Sequence, residues 1–158
     1  MTAPYLPPSD FLNAVIEERA LLSGSPDAEQ NLERLIALTR DPDAVNRDWA
    51  TMLLAQEEID TPRIREALLQ AARDEHEIVR AEGVLGLALR DPVLALPLVQ
   101  AALRAESISA PMLEAAVLCA HPSLIEDLKV WAEPSENTYL DDLAVEALAV
   151  CQAARPAN

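Results

Sequence analysis

Glycine occurs only 3 times in 158 residues, aromatic side chains make up 3 %, and cysteine occurs twice. Each scarcity removes a class of protein. With so little glycine and no long alternating runs of β-branched residues, a sheet protein is excluded and an all-α chain remains. Cys119 and Cys151 form no CxxC pair and only two histidines accompany them, so neither a disulfide framework nor zinc-ligand spacing is present. They read as buried, reduced thiols. Lysine occurs once, at Lys129, and 12 basic residues face 27 acidic ones for a net charge of -15. Duplex nucleic acid needs Lys and Arg against its phosphates, so a nucleic-acid binder is excluded. No window approaches the roughly 18 uninterrupted apolar residues of a membrane span. Met1 to Ser9 carries neither the basic n-region nor the apolar h-region of a secretory signal, so a cytoplasmic location is expected.

What is abundant is alanine and leucine, 28 and 25 residues, within an apolar share of 51 %. That is enough to bury a core despite the charge. Proline then divides the chain, because it fits the first helical turn and a preceding Ser, Thr or Asp can cap. Ser25-Pro26, Asp41-Pro42, Thr61-Pro62 and Asp91-Pro92 mark starts, with further breaks at Pro111, Pro122 and Pro134. An N-terminal cap helix is predicted over 10–24, ending at Ser23-Gly24. Pro97 removes a backbone hydrogen bond inside its segment, which predicts a kink or an early break.

The helices repeat. Asp41 to Ala50 matches Asp74 to Gly83 with Asp, an aliphatic, Arg and a small residue in register, and Leu54-Ala55 continues against Leu87-Ala88. Leu113 to Ala120 and Leu140 to Ala149 are weaker third and fourth copies. Each is preceded by another helix, at 28–40, 62–73, 92–104 and 122–131. The small residues Ala50, Gly83, Ala115 and Ala144 share one repeat position, where two helices must approach closely.

The Asp ahead of the second helix in the first two copies, with Ile78-Val79-Arg80-Ala81-Glu82-Gly83 as the nearest run, resembles the HEAT-like repeats also found in phycobilisome lyase proteins. The likeness spans residues 26–152 and departs at Met112 and Asp141, where those repeats carry Arg. It implies one domain over 1–158: a short right-handed α-α superhelix, or α-solenoid, of about four hairpins plus the cap, with the second helices lining the inner wall. It also implies that Asp41, Arg47, Asp74, Arg80 and Asp91 cap helices and link neighbouring repeats.

Positions that the repeat does not need are the informative ones. These are Asp48, Trp49 and Met52; Ala81, Glu82 and Leu85; Leu113, Glu114 and Val117; and Asp142, Leu143 and Glu146. Facing the concave wall, they make an apolar strip with an acidic margin, suited to a basic amphipathic helix or peptide. A drift of one residue in register would take them into the core instead. Trp49 stands out, since Trp is enriched in binding hot spots. From Ala105 to Ala154 nine acids face Lys129 alone, a net -8 that either steers a basic partner or solvates the surface.

Chemistry finds little purchase. His76 and His121 fall at helix boundaries away from any Ser or Cys nucleophile pattern, and carboxylates adjacent on a helix do not converge as a cation cage requires. No metal or cofactor is expected. The sequence therefore points to a non-catalytic protein-binding scaffold with Trp49, Met52, Asp48, Glu82, Leu85, Glu114 and Val117 as its partner-binding residues. The alternatives are a bilin-lyase-like accessory subunit, which the resemblance implies, and an acidic regulator of a basic enzyme.

Overall fold

The computed structural model describes residues 3–154. Among them lie nine α-helices and no strand: α1 (Asp10–Ile16), α2 (Ala28–Leu38), α3 (Ala44–Gln56), α4 (Pro62–Ala71), α5 (Glu77–Arg90), α6 (Pro92–Ala102), α7 (Ala110–Cys119), α8 (Ile125–Trp131) and α9 (Thr138–Ala153), with a short 3-10 turn at Pro122–Leu124 before α8. They form four hairpins, α2/α3 to α8/α9. The second helices α3, α5, α7 and α9 pack successively on one another, more closely than the first helices do, and α1 packs on α3 at the open end. The result is a short helical solenoid, and the second helices are its continuous inner layer.

Burial follows the repeat. Leu54, Leu68, Val79, Leu87, Val99, Leu113, Leu124 and Leu128 are fully enclosed. The small-residue position does what close approach demands. Ala50, Ala115 and Ala144 have no exposed surface, and a Cβ on Gly83 would meet the backbone of Ala72 and Leu68 at 2.7 and 2.8 Å.

The cap signals hold at two starts: Thr61 Oγ1 accepts from the Ile64 N–H at 3.3 Å and the Asp91 carboxylate from Leu94 at 3.2 Å. Elsewhere the start moves inward. Asp43, not Asp41, caps α3, accepting from Val45 and Asn46, and α2 begins at Ala28 with Asp27 in the cap position. The cap helix predicted over 10–24 ends at Ile16. Glu18 takes the left-handed conformation expected of Gly24, with φ 60°, and the Arg19 N–H closes back on the Ala14 carbonyl at 2.8 Å. The chain then runs without helix so that Leu22 can be buried. Pro97 does not break α6. Proline offers the carbonyl of Val93 no N–H, but on a face where Val93 is 82 % exposed water can take that bond.

Arg47 ties two repeats together, as the resemblance implied, whereas Arg80 bonds only within its own repeat, to the carbonyls of Asp74 and Glu75. Arg47 grips Asp74 of the next repeat and donates to the carbonyls of Asp41 and Pro42. Arg90, almost wholly buried, donates to the carbonyls of Leu54, Ala55, Glu57 and Ile59, closing the C-terminus of α3. Asp91 also pairs with Arg65 at 3.2 Å.

Candidate interaction surface on the inner helix layer

Asp48, Trp49 and Met52 lie on α3, Ala81, Glu82 and Leu85 on α5, Leu113, Glu114 and Val117 on α7, and Asp142, Leu143 and Glu146 on α9. The repeat therefore brings equivalent positions together on the inner layer, but not all of them face outward. The position just after the arginine is buried in the first three repeats, as Asp48, Ala81 and Leu113. Only at the end of the stack, as Asp142, is it exposed. The expectation of a concave orientation is corrected there. Met52, Leu85, Val117 and Leu143 remain half-buried and reachable, Glu114 is half-buried and Glu146 is exposed.

Trp49 is a second correction. It is not a spare outward side chain. The N-terminal segment lies over it, with the Tyr5 ring stacked on the indole at a centroid distance of 6.0 Å and an interplanar angle of 27°. Its Nε1 is buried with no partner among the described residues. Tyr5 donates to Asp48 and the Ser9 N–H donates to Asn46. Trp49 and Met52 also line an open groove of about 400 Å³ with Val15, Ile16, Leu21 and Leu22 of the cap. Nothing in the pattern around Tyr5 announced this role, because an exposed tyrosine between prolines has no periodicity to read.

Glu82 sits at the centre of the layer. It is 9 % exposed, and no hydrogen bond to it exists among the described residues. Burial, reinforced by the negative charges of Asp48 on α3 and Glu114 on α7, pushes its carboxyl up to about 7 from an ordinary 4.5. A carboxylate desolvated among like charges is stabilised by a cation, and no cation among the described residues pairs with it. No group of three or more His, Cys, Asp or Glu among the described residues is arranged to hold a metal ion. The thiols are free, Cys151 buried and Cys119 half-buried, and burial pushes Cys119 up to about 11, away from nucleophilic use at neutral pH. No helix of the described residues is long and apolar enough to cross a membrane.

Comparison with known proteins agrees with this geometry. The X-ray structure of YibA from E. coli matches with a TM-score of 0.59 at 19 % identity, over 88 % of this chain and 54 % of that one, a likeness that shows the fold. The chain thus spans about half the length of that relative. No curated protein matches the sequence. The sequence pattern of HEAT repeats matches residues 31–118, more than half of the chain, from within α2 to within α7. With the solenoid of helical hairpins, its arginine ties and this match, the chain belongs to the HEAT repeat family.

Proposed function

We propose that the chain is a non-catalytic interaction module whose inner layer binds a basic, amphipathic segment of another protein. HEAT repeats generally mediate contacts between proteins. The observation that carries the finer reading is Glu82, a largely buried side chain whose carboxylate has no hydrogen-bond or ion-pair partner among the described residues and lies between the charges of Asp48 and Glu114. An Arg or Lys from outside would supply the missing counter-charge, while Met52, Leu85 and Val117 offer apolar contact beside it. The net charge of -15 favours the approach of such a partner. The bilin-lyase-like alternative rests on the repeat alone.

Fluorescence anisotropy with a labelled basic amphipathic helix, set against an acidic helix of equal apolar content, tests the proposal. The basic peptide is expected to bind, with affinity falling as salt rises. The Glu82→Gln, Glu114→Gln double variant should weaken it at least tenfold. Equal binding of both peptides, or an unaffected double variant, would refute the reading.

A further inference from the structure

The tie between the first two repeats has an open counterpart at the next junction. Arg47 holds Asp74 through two bonds, Nε to Oδ2 at 2.8 Å and Nη2 to Oδ1 at 3.2 Å. Arg80 occupies the same place one repeat on, but the residue standing where Asp74 stands for Arg47 is Ser107. Asp74 and Ser107 both lie two positions before the residue that opens the next helix, His76 and Ser109. Arg80 Nη1 donates to the carbonyls of Asp74 and Glu75, both at 2.9 Å, as Arg47 Nη1 does to those of Asp41 and Pro42. The guanidinium is therefore positioned alike in both repeats.

What differs is the acceptor. Serine is shorter and uncharged, and its hydroxyl donates instead to Glu77 Oε1 at 3.1 Å. Arg80 Nε and Nη2, the atoms that in Arg47 grip the carboxylate, donate to nothing among the described residues. None of their carboxylates, including Glu77 and the exposed Glu106, stands within ion-pair distance. Beside Arg80 lies a cavity of about 90 Å³, walled by Ala81, Ala102, Ala105, Ile108 and Met112. Ser109 also lines it, and its Oγ is buried without a partner among the described residues.

We infer that this cavity is a carboxylate-binding site, taking from outside the chain the group that Asp74 provides within it at the previous junction. The free donor pair matches a planar carboxylate in the bidentate geometry that Arg47 displays. The apolar walls have room for the carbon that bears it, and Ser109 Oγ offers a further hydrogen-bonding group. Glu77 in the wall and the strongly negative chain select a single negative charge over a phosphate dianion.

The test follows the Nε–Hε resonance of Arg80 in the full ¹⁵N-labelled chain, at constant ionic strength, against acetate, N-acetyl-aspartate methylamide and inorganic phosphate. Acetate is expected to give a saturable shift. Ser107→Asp, which restores an in-chain carboxylate, should weaken that response at least tenfold, whereas Ser107→Ala should keep it. A matching response to the aspartate derivative identifies an acidic side chain as an acceptable source, and a response to acetate alone a small free acid; either upholds the site. No saturable shift with either carboxylate would overturn it, as would an undiminished response in Ser107→Asp, loss in Ser107→Ala, or phosphate binding as tight as acetate.

Discussion

Tyr5 donates a 2.7 Å hydrogen bond from its phenolic hydroxyl to Oδ2 of Asp48, 43 residues away, and so fastens the N-terminal segment over the first inner helix. Burial and this bond to a carboxylate push the phenol up to about 12, so the bond persists across the neutral range. Tyr5→Phe keeps the ring on Trp49 and removes only the hydroxyl. Because Tyr5 is 57 % exposed, the expected loss is about 1 kcal/mol in urea unfolding, and Tyr5→Ala, which also uncovers the indole, should add a shift of Trp49 emission to longer wavelength.

Arg47 and Asp74 are each only 12 % exposed and tie two repeats through a bidentate pair. Burial pushes Asp74 up, but the hydrogen bonds from Arg47 and the His76 N–H, with the arginine charge, hold it below its ordinary 3.8. A carboxyl depressed in the folded state contributes stability above that value, and loses it as pH falls through and below it. Asp74→Asn should therefore lose about 3 kcal/mol at neutral pH, with the difference from the parent chain shrinking below about pH 4 in equilibrium unfolding.

The two glycines of α5 separate backbone from side-chain crowding. A methyl on Gly83 meets main-chain atoms of α4 that cannot step aside, whereas one on Gly86 meets the Leu68 side chain and the Ala55 methyl at 2.8 and 2.9 Å. Helix propensity alone favours alanine at either place by about 1 kcal/mol. Gly83→Ala should nonetheless lower stability by about 2 to 3 kcal/mol and Gly86→Ala by less, as thermal unfolding of the pair will read.

Glu82 sets the pH response. A carboxyl raised in the folded state makes that state bind a proton which the unfolded chain has already lost, so its contribution falls as pH climbs from 4.5 to about 7. Glu82→Gln removes the charge in place. It should stabilise the chain at pH 8, with a ceiling of about 3 kcal/mol, and lose the advantage towards pH 4.5. Urea unfolding at the two extremes measures the difference.

The fold was legible because the repeat writes the same facts several times: Arg47 and Arg80, Ala50 and Gly83, Leu54 and Leu87 each confirm the register of the other. The end of α1 was not, since Glu18 adopts a backbone conformation more often signalled by glycine. At the inner face, local spacing placed Met52, Leu85 and Val117 at reachable positions. It could not show that Leu113 would be fully buried, nor that Tyr5 would fold back over Trp49, because both depend on packing beyond the local helix. In the function proposed above, the weight that sequence alone gave to Trp49 passes to Glu82.

The central claim is that a basic segment lies along the inner layer, and methyl shifts during titration with the basic amphipathic peptide read its position most directly. Saturable shifts are expected at Met52, Leu85 and Val117, with Val93 and Val130, exposed on the first helices α6 and α8, unmoved. Shifts confined to Val93 and Val130, or none at the three inner positions on saturation, would contradict it.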